Sequence, residues 1–275
     1  MDAALQRRVQ RYGWDRAVDS YERTWAEQLW PAQRRLLDLA ALQAGDRVID
    51  LACGTGLVTF PAAAAVGPSG HVLATDISER MVARVGDEAT VRGVGQVSAR
   101  RLGAEQLSDV AEGSFDAALC ALGLMYVPDV AAALTEMRRV LRPGGRAVAA
   151  VWGARSRCGW ADIFPIVESR VSSDVCPMFF HLGTGPALHL AFEAAGFFQL
   201  VTERLSTMLR YASGDDAADA AFAGGPVAMA YSRFDEATRA AARADYIASI
   251  AAYRSGDGYA IPGEFVITAG SRTAA

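Results

Sequence analysis

Lysine is absent from this 275-residue sequence, so all 27 Lys/Arg positions are arginine. The absence excludes mechanisms that need a lysine Schiff base or the lysine of a phosphate-binding loop. The formal net charge is -4, and the arginines are scattered rather than gathered on one face. A protein that binds nucleic acid usually carries a strongly basic surface, so we expect no nucleic-acid partner.

Cysteine is scarce, with four residues in the chain: Cys53, Cys120, Cys158 and Cys176. They form no C-x-x-C pair and do not group with the three histidines, so we expect no metal site. Cys53 and Cys120 fall inside apolar, strand-like runs, as is typical of reduced thiols in a cytoplasmic protein. No signal-peptide core is visible at the start, and the longest apolar run, AALCALGLMYV, is too short for an integral membrane segment.

Short apolar runs alternate with helical patterns from about residue 46 onward. The runs are RVIDLAC, HVLATDI, VSARRL, FDAALCALG and RAVAAVWG, followed later by FFQLVTERLSTMLRYA and EFVITAG. Such alternation is typical of strands covered by helices on both faces. It predicts an α/β, Rossmann-like, doubly wound and mostly parallel seven-stranded sheet with helical caps. Pro61 lies inside the first helical pattern of this region and predicts a kink there.

The chain divides by pattern into two parts. Residues 1–42 predict a helical N-terminal cap rich in aromatic residues, and residues 43–275 predict the Rossmann-like domain. Insertions near 153–185 and 213–256 are expected to cover a substrate, and their aromatic content favours an apolar or aromatic one. A homodimer stays open as an alternative to a monomer.

The stretch VIDLACGTG, Val48 to Gly56, places a carboxylate and then small residues at the end of a predicted strand. In open parallel sheets a ligand binds beyond the carboxyl ends of the strands, where small residues let the backbone approach it. A dinucleotide loop would need glycine where this loop has Leu57, and Asp50 would repel a diphosphate. Asp50 favours a cationic nucleoside instead, namely S-adenosylmethionine.

Asp76 ends the next strand-like run and lies twenty positions after Gly56. An acidic residue in that place commonly holds ribose hydroxyls. Each acid also has a purely structural interpretation, because Asp50 could cap the following helix and Asp76 could stabilise a turn. Because two acids lie around one glycine loop, we favour the interpretation that both contribute to binding S-adenosylmethionine.

With these motifs the sequence resembles the class I S-adenosylmethionine-dependent methyltransferases, and most closely the branch that includes the ubiquinone/menaquinone C-methyltransferases. The resemblance covers about residues 44–152 through GDRVIDLACGTG, VLATDIS, GAEQL, GSFDAALCALGLMYVPD and RRVLRPGGRAVAAVWG. It implies methyl transfer to a small acceptor through O-, N- or C-methylation, with S-adenosylhomocysteine as the product and no metal.

The resemblance also implies roles for individual residues. The methionine part of the cofactor would lie against Asp50, Ala52, Gly54 and Gly56, and the transferable methyl against Cys120. The nucleoside would lie against Asp76, Ile77, Met81, Ala104 and Glu105. The family often carries Asp where this chain has Gly103, so Glu105 or a water would have to serve the adenine amino group.

Two cap residues are candidates for the reaction itself. His181, in PMFFHLGTG, is a candidate general base for an acceptor that must lose a proton. Tyr21 lies one helical turn before Trp25 and could close over the sulfonium, whose charge favours an aromatic face. Both positions are equally compatible with ordinary packing. Two other classes stay open: a nicotinamide-dependent oxidoreductase and a non-catalytic S-adenosylmethionine-binding protein.

Overall fold

A single sheet organises the chain in the computed structural model, which describes residues 3–171 and 178–274. Its strands are β1 (Arg47–Leu51), β2 (His71–Asp76), β3 (Val97–Arg101), β4 (Phe115–Ala121), β5 (Leu141–Trp152), β6 (Phe198–Tyr211), β7 (Arg254–Ser255) and β8 (Gly258–Ser271). The order is β3-β2-β1-β4-β5-β8-β6, and the two-residue β7 pairs with β8. Strands β1 to β5 pair in parallel, while β8 runs antiparallel to β5 and β6. The predicted Rossmann-like, mostly parallel sheet is confirmed.

Helices cover both faces of the sheet. Its central strands are apolar because both of their faces are buried under these helices. They are α1 (Ala3–Ala40), α2 (Thr59–Val66), α3 (Glu79–Arg92), α4 (Val130–Val140), α5 (Ile163–Glu168), α6 (Ala187–Ala194), α7 (Gly214–Phe222), α8 (Ala228–Tyr231) and α9 (Glu236–Ser249). Polar side chains cap four of them: Ser78 Oγ accepts from the Met81 N–H at the start of α3, and Asp129, Ser213 and Asp235 cap α4, α7 and α9 in the same way. Pro61 is the third residue of α2, where no intrahelical N–H donor is required, so it begins the helix and our expectation of a kink there was wrong.

Helix α1 has two parts, separated by Pro31. Beyond Pro31, the side chains of Ala32 and Leu36 are fully buried in the main hydrophobic core. In the same part, the guanidinium of Arg35 binds both carboxylate oxygens of Glu203 on β6 at 2.6 Å. The second part of α1 is therefore docked on the sheet.

The helical patterns at about 214–224 and 235–254 predict two helices in the second insertion, and both are present as α7 and α9. The short helix α5, within the predicted insertion at 153–185, was not predicted. Helices α7 and α9 occupy most of the second predicted insertion, with α8 between them. Cys53, Cys120 and Cys158 are buried free thiols, whereas Cys176 lies outside the described residues. None of the helices in the described ranges is long and apolar enough to cross a membrane.

Candidate functional site

A cavity lies beyond the carboxyl ends of β1, β2 and β4. Because β1 sits between β2 and β4 in the sheet, the strand order reverses at this point, which is where open α/β sheets bind ligands. Eight of the eleven residues predicted to bind a cofactor line the cavity: Tyr21, Ala52, Gly54, Asp76, Ile77, Met81, Ala104 and Glu105. The predicted residues that do not line it are Asp50, Gly56 and Cys120.

The glycine loop after β1 adopts left-handed backbone at three positions. Ala52 has φ 52°, Gly54 has φ 56° and Gly56 has φ 92°. Ala52 and Gly54 reach the cavity, but a Cβ at Gly56 would lie 2.7 Å from the Phe60 ring. Gly56 therefore packs the loop against α2, and its expected contact with the cofactor stays a prediction.

Asp76, at the end of β2, is held by backbone donors. Its two carboxylate oxygens accept hydrogen bonds from the Gly54 N–H at 3.0 Å and the Ser78 N–H at 2.8 Å. Burial raises the pKa of Asp76 to about 6, although these two donors oppose the rise. Each oxygen keeps a further lone pair, so the carboxylate is fixed in position and can still accept from ribose hydroxyls.

Asp50 lies behind the loop rather than in the cavity. It is 1% exposed, and one carboxylate oxygen accepts from the Thr59 hydroxyl at 2.6 Å. Burial raises the pKa of Asp50 to about 7, against the lowering effect of that hydroxyl. In this structure Asp50 ties the loop to α2 through Thr59, and its direct contact with a cofactor stays a prediction.

The nucleoside end of the cavity has apolar walls. Ile77, Met81, Leu102 and Ala104 line it, and a Cβ added at Gly103 would meet no atom within 4 Å. The open space at Gly103 marks where the family's usual carboxylate is missing. These apolar walls and the fixed Asp76 carboxylate suit a purine riboside.

Glu105 has a different set of partners from the one expected. Its carboxylate binds the Arg7 guanidinium of α1 at 2.5 and 3.1 Å and accepts from the Asp129 N–H at 2.9 Å. It thus ties the first part of α1 to the rim of the cavity. Asp15 adds a second tie, because its carboxylate accepts from the Ser78 hydroxyl at 2.6 Å.

One face of α1 forms a wall of the cavity, which the sequence patterns indicated only in part. Arg7, Gln10, Trp14, Tyr21 and Trp25 all line it. Spacings of three, four and seven residues place these side chains on one side of a helix, and that periodicity is the signal that could have identified Arg7 and Gln10. Desolvation and the nearby Asp76 charge raise the pKa of Tyr21 well above its usual range, so its phenol stays protonated.

The far end of the cavity is aromatic. The rings of Trp152 and Trp160 lie 4.8 Å apart, and Trp25 is 6.1 Å from Trp160. Phe179 contacts both Trp160, at 5.6 Å, and Tyr126, at 5.4 Å. All five rings line the cavity, as do the backbone segments of residues 224–226. This end suits a flat, apolar molecule.

Two predicted residues of the reaction centre do not reach the cavity. Cys120 is fully buried behind Gly123, where a Cβ would lie 2.9 Å from its sulfur, and burial raises the pKa of the Cys120 thiol to about 12. His181 is exposed and does not line the cavity, while Phe179 of the same segment does. The role of His181 as a general base stays a prediction. Across residues 3–171 and 178–274, no group of His, Cys, Asp or Glu is arranged to hold a metal.

The fold and this cavity define a Rossmann-like domain that carries a glycine loop and two acids where the strand order reverses. Residues 48–145 match the family model described as a methyltransferase domain, which confirms the resemblance seen in the sequence. The chain is 42% identical over 132 residues to nocamycin O-methyltransferase from Saccharothrix syringae, covering 48% of this chain and 47% of that protein.

Two further comparisons give a second relative in sequence and a solved structure with a similar fold. The ubiquinone/menaquinone biosynthesis C-methyltransferase of Methylobacterium nodulans is 42% identical over 100 residues, covering 36% of this chain and 39% of that one. Phosphoethanolamine N-methyltransferase 2 of Haemonchus contortus, solved with S-adenosyl-L-methionine, superposes with a TM-score of 0.63 at 15% identity, over 94% of this chain and 57% of that chain. The chain spans about half the length of the curated relatives it matches.

Proposed function

We propose that the protein transfers a methyl group from S-adenosylmethionine to a small, planar and largely apolar acceptor. The observation that carries the proposal is a cavity with two chemically different ends. One end holds the fixed Asp76 carboxylate and the apolar walls at Ile77 and Met81, and the other is built of aromatic rings. The ends adjoin, as the donor and acceptor of a displacement must.

The proposed roles follow from position. Asp76 binds the ribose hydroxyls, and Ile77, Met81 and Ala104 pack on the adenine. The loop from Ala52 to Gly54 supports the methionine part. The Asp50 and Asp76 carboxylates supply negative potential that favours the ammonium and sulfonium groups.

The cofactor supplies an electrophilic methyl on a sulfur that leaves as a neutral thioether, so no acid is required. The chain's own residues align the acceptor against that methyl and exclude water, and the aromatic wall suits both tasks. Tyr21, protonated and next to Gly54, places its ring where the sulfonium is expected. The His181 side chain is exposed, so we propose an acceptor that arrives already ionised or needs no base.

We further propose that residues 1–42 act as a cap on a Rossmann-like domain of residues 43–275. The contacts of Arg7 and Asp15 with the cavity rim support this division. The buried free thiols of Cys53, Cys120 and Cys158 support a reducing, cytoplasmic setting. Whether the protein works as a monomer or as a homodimer is decided by its mass in solution.

Calorimetric titration with S-adenosylmethionine, S-adenosylhomocysteine and NADH tests the proposal. We expect the first two to bind with a stoichiometry of one and NADH not to bind. A labelled-methyl screen against phenols, enols, carboxylic acids and amines then separates an enzyme from a non-catalytic binding protein. Binding of NADH alone, or of none of the three, would contradict the proposed function.

A further inference from the structure

The aromatic end of the cavity contains a buried hydrogen-bond donor without an acceptor. Trp160 lines the cavity and is 3% exposed, and its indole Nε1 has no hydrogen-bond partner among the residues that the structure describes. Buried donors are nearly always paired, because an unpaired one loses its hydration without compensation. An unpaired donor in a cavity wall therefore points to a partner that arrives with the ligand.

The neighbours of Trp160 explain why no residue in the described ranges serves as that partner. Its ring is surrounded by other rings, at centroid distances of 4.8 Å for Trp152, 5.6 Å for Phe179 and 5.7 Å for Phe180. Ring faces accept N–H groups only weakly. Trp25 of the same wall is different, because its Nε1 donates to the Ala220 carbonyl at 3.1 Å. The unsatisfied donor is thus a property of Trp160 and not of the whole cluster.

A second donor borders the same end of the cavity. Gly225 is buried and lines the cavity in the turn between α7 and α8. The neighbouring amides are paired: Gly224 N–H donates to the Asp219 carbonyl, and Ala228 N–H donates to the Gly225 carbonyl. The Gly225 N–H itself has no partner within the described ranges. The turn between α7 and α8 therefore contributes to the cavity wall a residue whose backbone N–H has no partner in the described ranges.

We propose that the Trp160 indole N–H recognises an oxygen atom of the methyl acceptor, which makes Trp160 a specificity-determining residue. This proposal rests on the proposed function of the cavity. The acceptor is then a planar conjugated molecule that carries a carbonyl or enolate oxygen. A donor aimed at that oxygen also stabilises the ionised acceptor, which fits a chamber to which His181 contributes no base.

Matched probes that differ only in the oxygen test the proposal. We would measure by equilibrium dialysis the binding of 9-fluorenone and of fluorene, which have the same planar shape, to protein saturated with S-adenosylhomocysteine. We expect the native protein to bind fluorenone about tenfold more tightly, the size of one net hydrogen bond. Trp160→Phe keeps an aromatic ring and removes the donor, so the ratio of the two affinities should fall to about one.

Trp25→Phe is the matched control, because the N–H that it removes already has a partner in the chain. It is expected to lower thermal stability and to leave the fluorenone-to-fluorene ratio unchanged. A native ratio of one, an unchanged ratio in Trp160→Phe, or no binding of either probe would overturn the proposal. S-adenosylhomocysteine binding is measured first, so its failure identifies a failure of the proposed function and not of the role of Trp160.

Discussion

The two ends of the cavity are built from different kinds of chain segment. The nucleoside end comes from consecutive loops between Ala52 and Glu105, each directly after a strand of the sheet. The acceptor end combines Trp25 from α1, Trp152 from the end of β5, and residues 224–226 between α7 and α8. The first end is polar and charged at its base, and the second is aromatic.

The region that matches the methyltransferase domain family, residues 48–145, contains the whole strand-loop part of the nucleoside end. Trp25, Trp152, Trp160 and Phe179 all lie outside it. The cofactor is thus inferred from what this chain shares with its relatives, whereas the acceptor has to be inferred from contacts that belong to this chain. Substitutions at the nucleoside end should therefore change cofactor binding while the acceptor end stays intact.

Replacing Asp76 should produce the largest loss of ligand affinity, and the loss should be confined to the nucleoside end. Asp76→Ala removes the carboxylate that would hold the ribose, so we expect S-adenosylhomocysteine affinity to fall by about 1–3 kcal/mol in calorimetry. Asp76→Asn should lose less, because the amide still offers one acceptor oxygen. If thermal stability collapses in both variants while affinity per folded molecule is unchanged, Asp76 only stabilises the turn at Ser78.

Lowering the pH should weaken the binding of S-adenosylmethionine at the nucleoside end. Burial raises the pKa of Asp50 to about 7 and that of Asp76 to about 6, and a cationic ligand favours both ionised forms. We therefore expect S-adenosylmethionine to bind roughly tenfold more weakly at about pH 5 than at about pH 8. Fluorenone, as a neutral probe of the acceptor end, should change little.

Without ligand, the stability of the folded protein, measured by thermal unfolding, should change with pH in the opposite direction and fall as the pH rises. A carboxyl whose pKa is raised in the folded state keeps a proton that the unfolded chain has released, so its contribution to the free energy of unfolding falls as pH rises from about 4 to 7. Asp76→Asn should reduce this slope. A slope that is unchanged in that variant would show that other groups produce it.

A smaller effect is expected where α1 is tied to the cavity rim. The Arg7–Glu105 pair joins side chains that are 43% and 11% exposed. For such a pair we expect Arg7→Ala to speed release of S-adenosylhomocysteine about two- to fivefold in stopped-flow fluorescence. Arg92→Ala, which breaks the exposed Arg92–Glu88 pair on α3, is the control and should not alter release. Equal release rates in the native protein, Arg7→Ala and Arg92→Ala would show that the Arg7–Glu105 pair does not affect release.

The smallest effect is expected at His181. Its exposed position outside the cavity predicts that His181→Ala lowers methyl transfer by less than about twofold, whereas loss of a general base costs about 100-fold or more. The measurement is labelled-methyl transfer to whichever acceptor the screen identifies. A loss near 100-fold would restore His181 as the base and would require its loop to move toward the acceptor.

The parts of the fold and site that could be predicted are those set by local patterns. The apolar runs that became β1 to β5, the capping serine before α3, and the Asp76 turn each follow from a few adjacent residues. The position of Asp50 behind the loop could not be predicted, because its orientation depends on Thr59 in the next helix. The packing of Trp160 could be predicted only in part, because Phe179 belongs to the same insertion whereas Trp25 comes from a distant part of the chain.

Pro31 has a mechanical consequence for α1. Proline carries no N–H, so the Glu27 carbonyl lacks its usual donor four residues along, and helices bend most readily at such a gap. The gap falls between the half of α1 that walls the cavity and the half held to β6 by Arg35. Gln28, three residues before Pro31, exchanges two hydrogen bonds with the Arg210 backbone of β6, at 2.7 and 2.9 Å, so α1 is fastened to the same strand on both sides of the gap. Side-chain contacts with β6 thus bridge the place where the backbone of α1 is weakest.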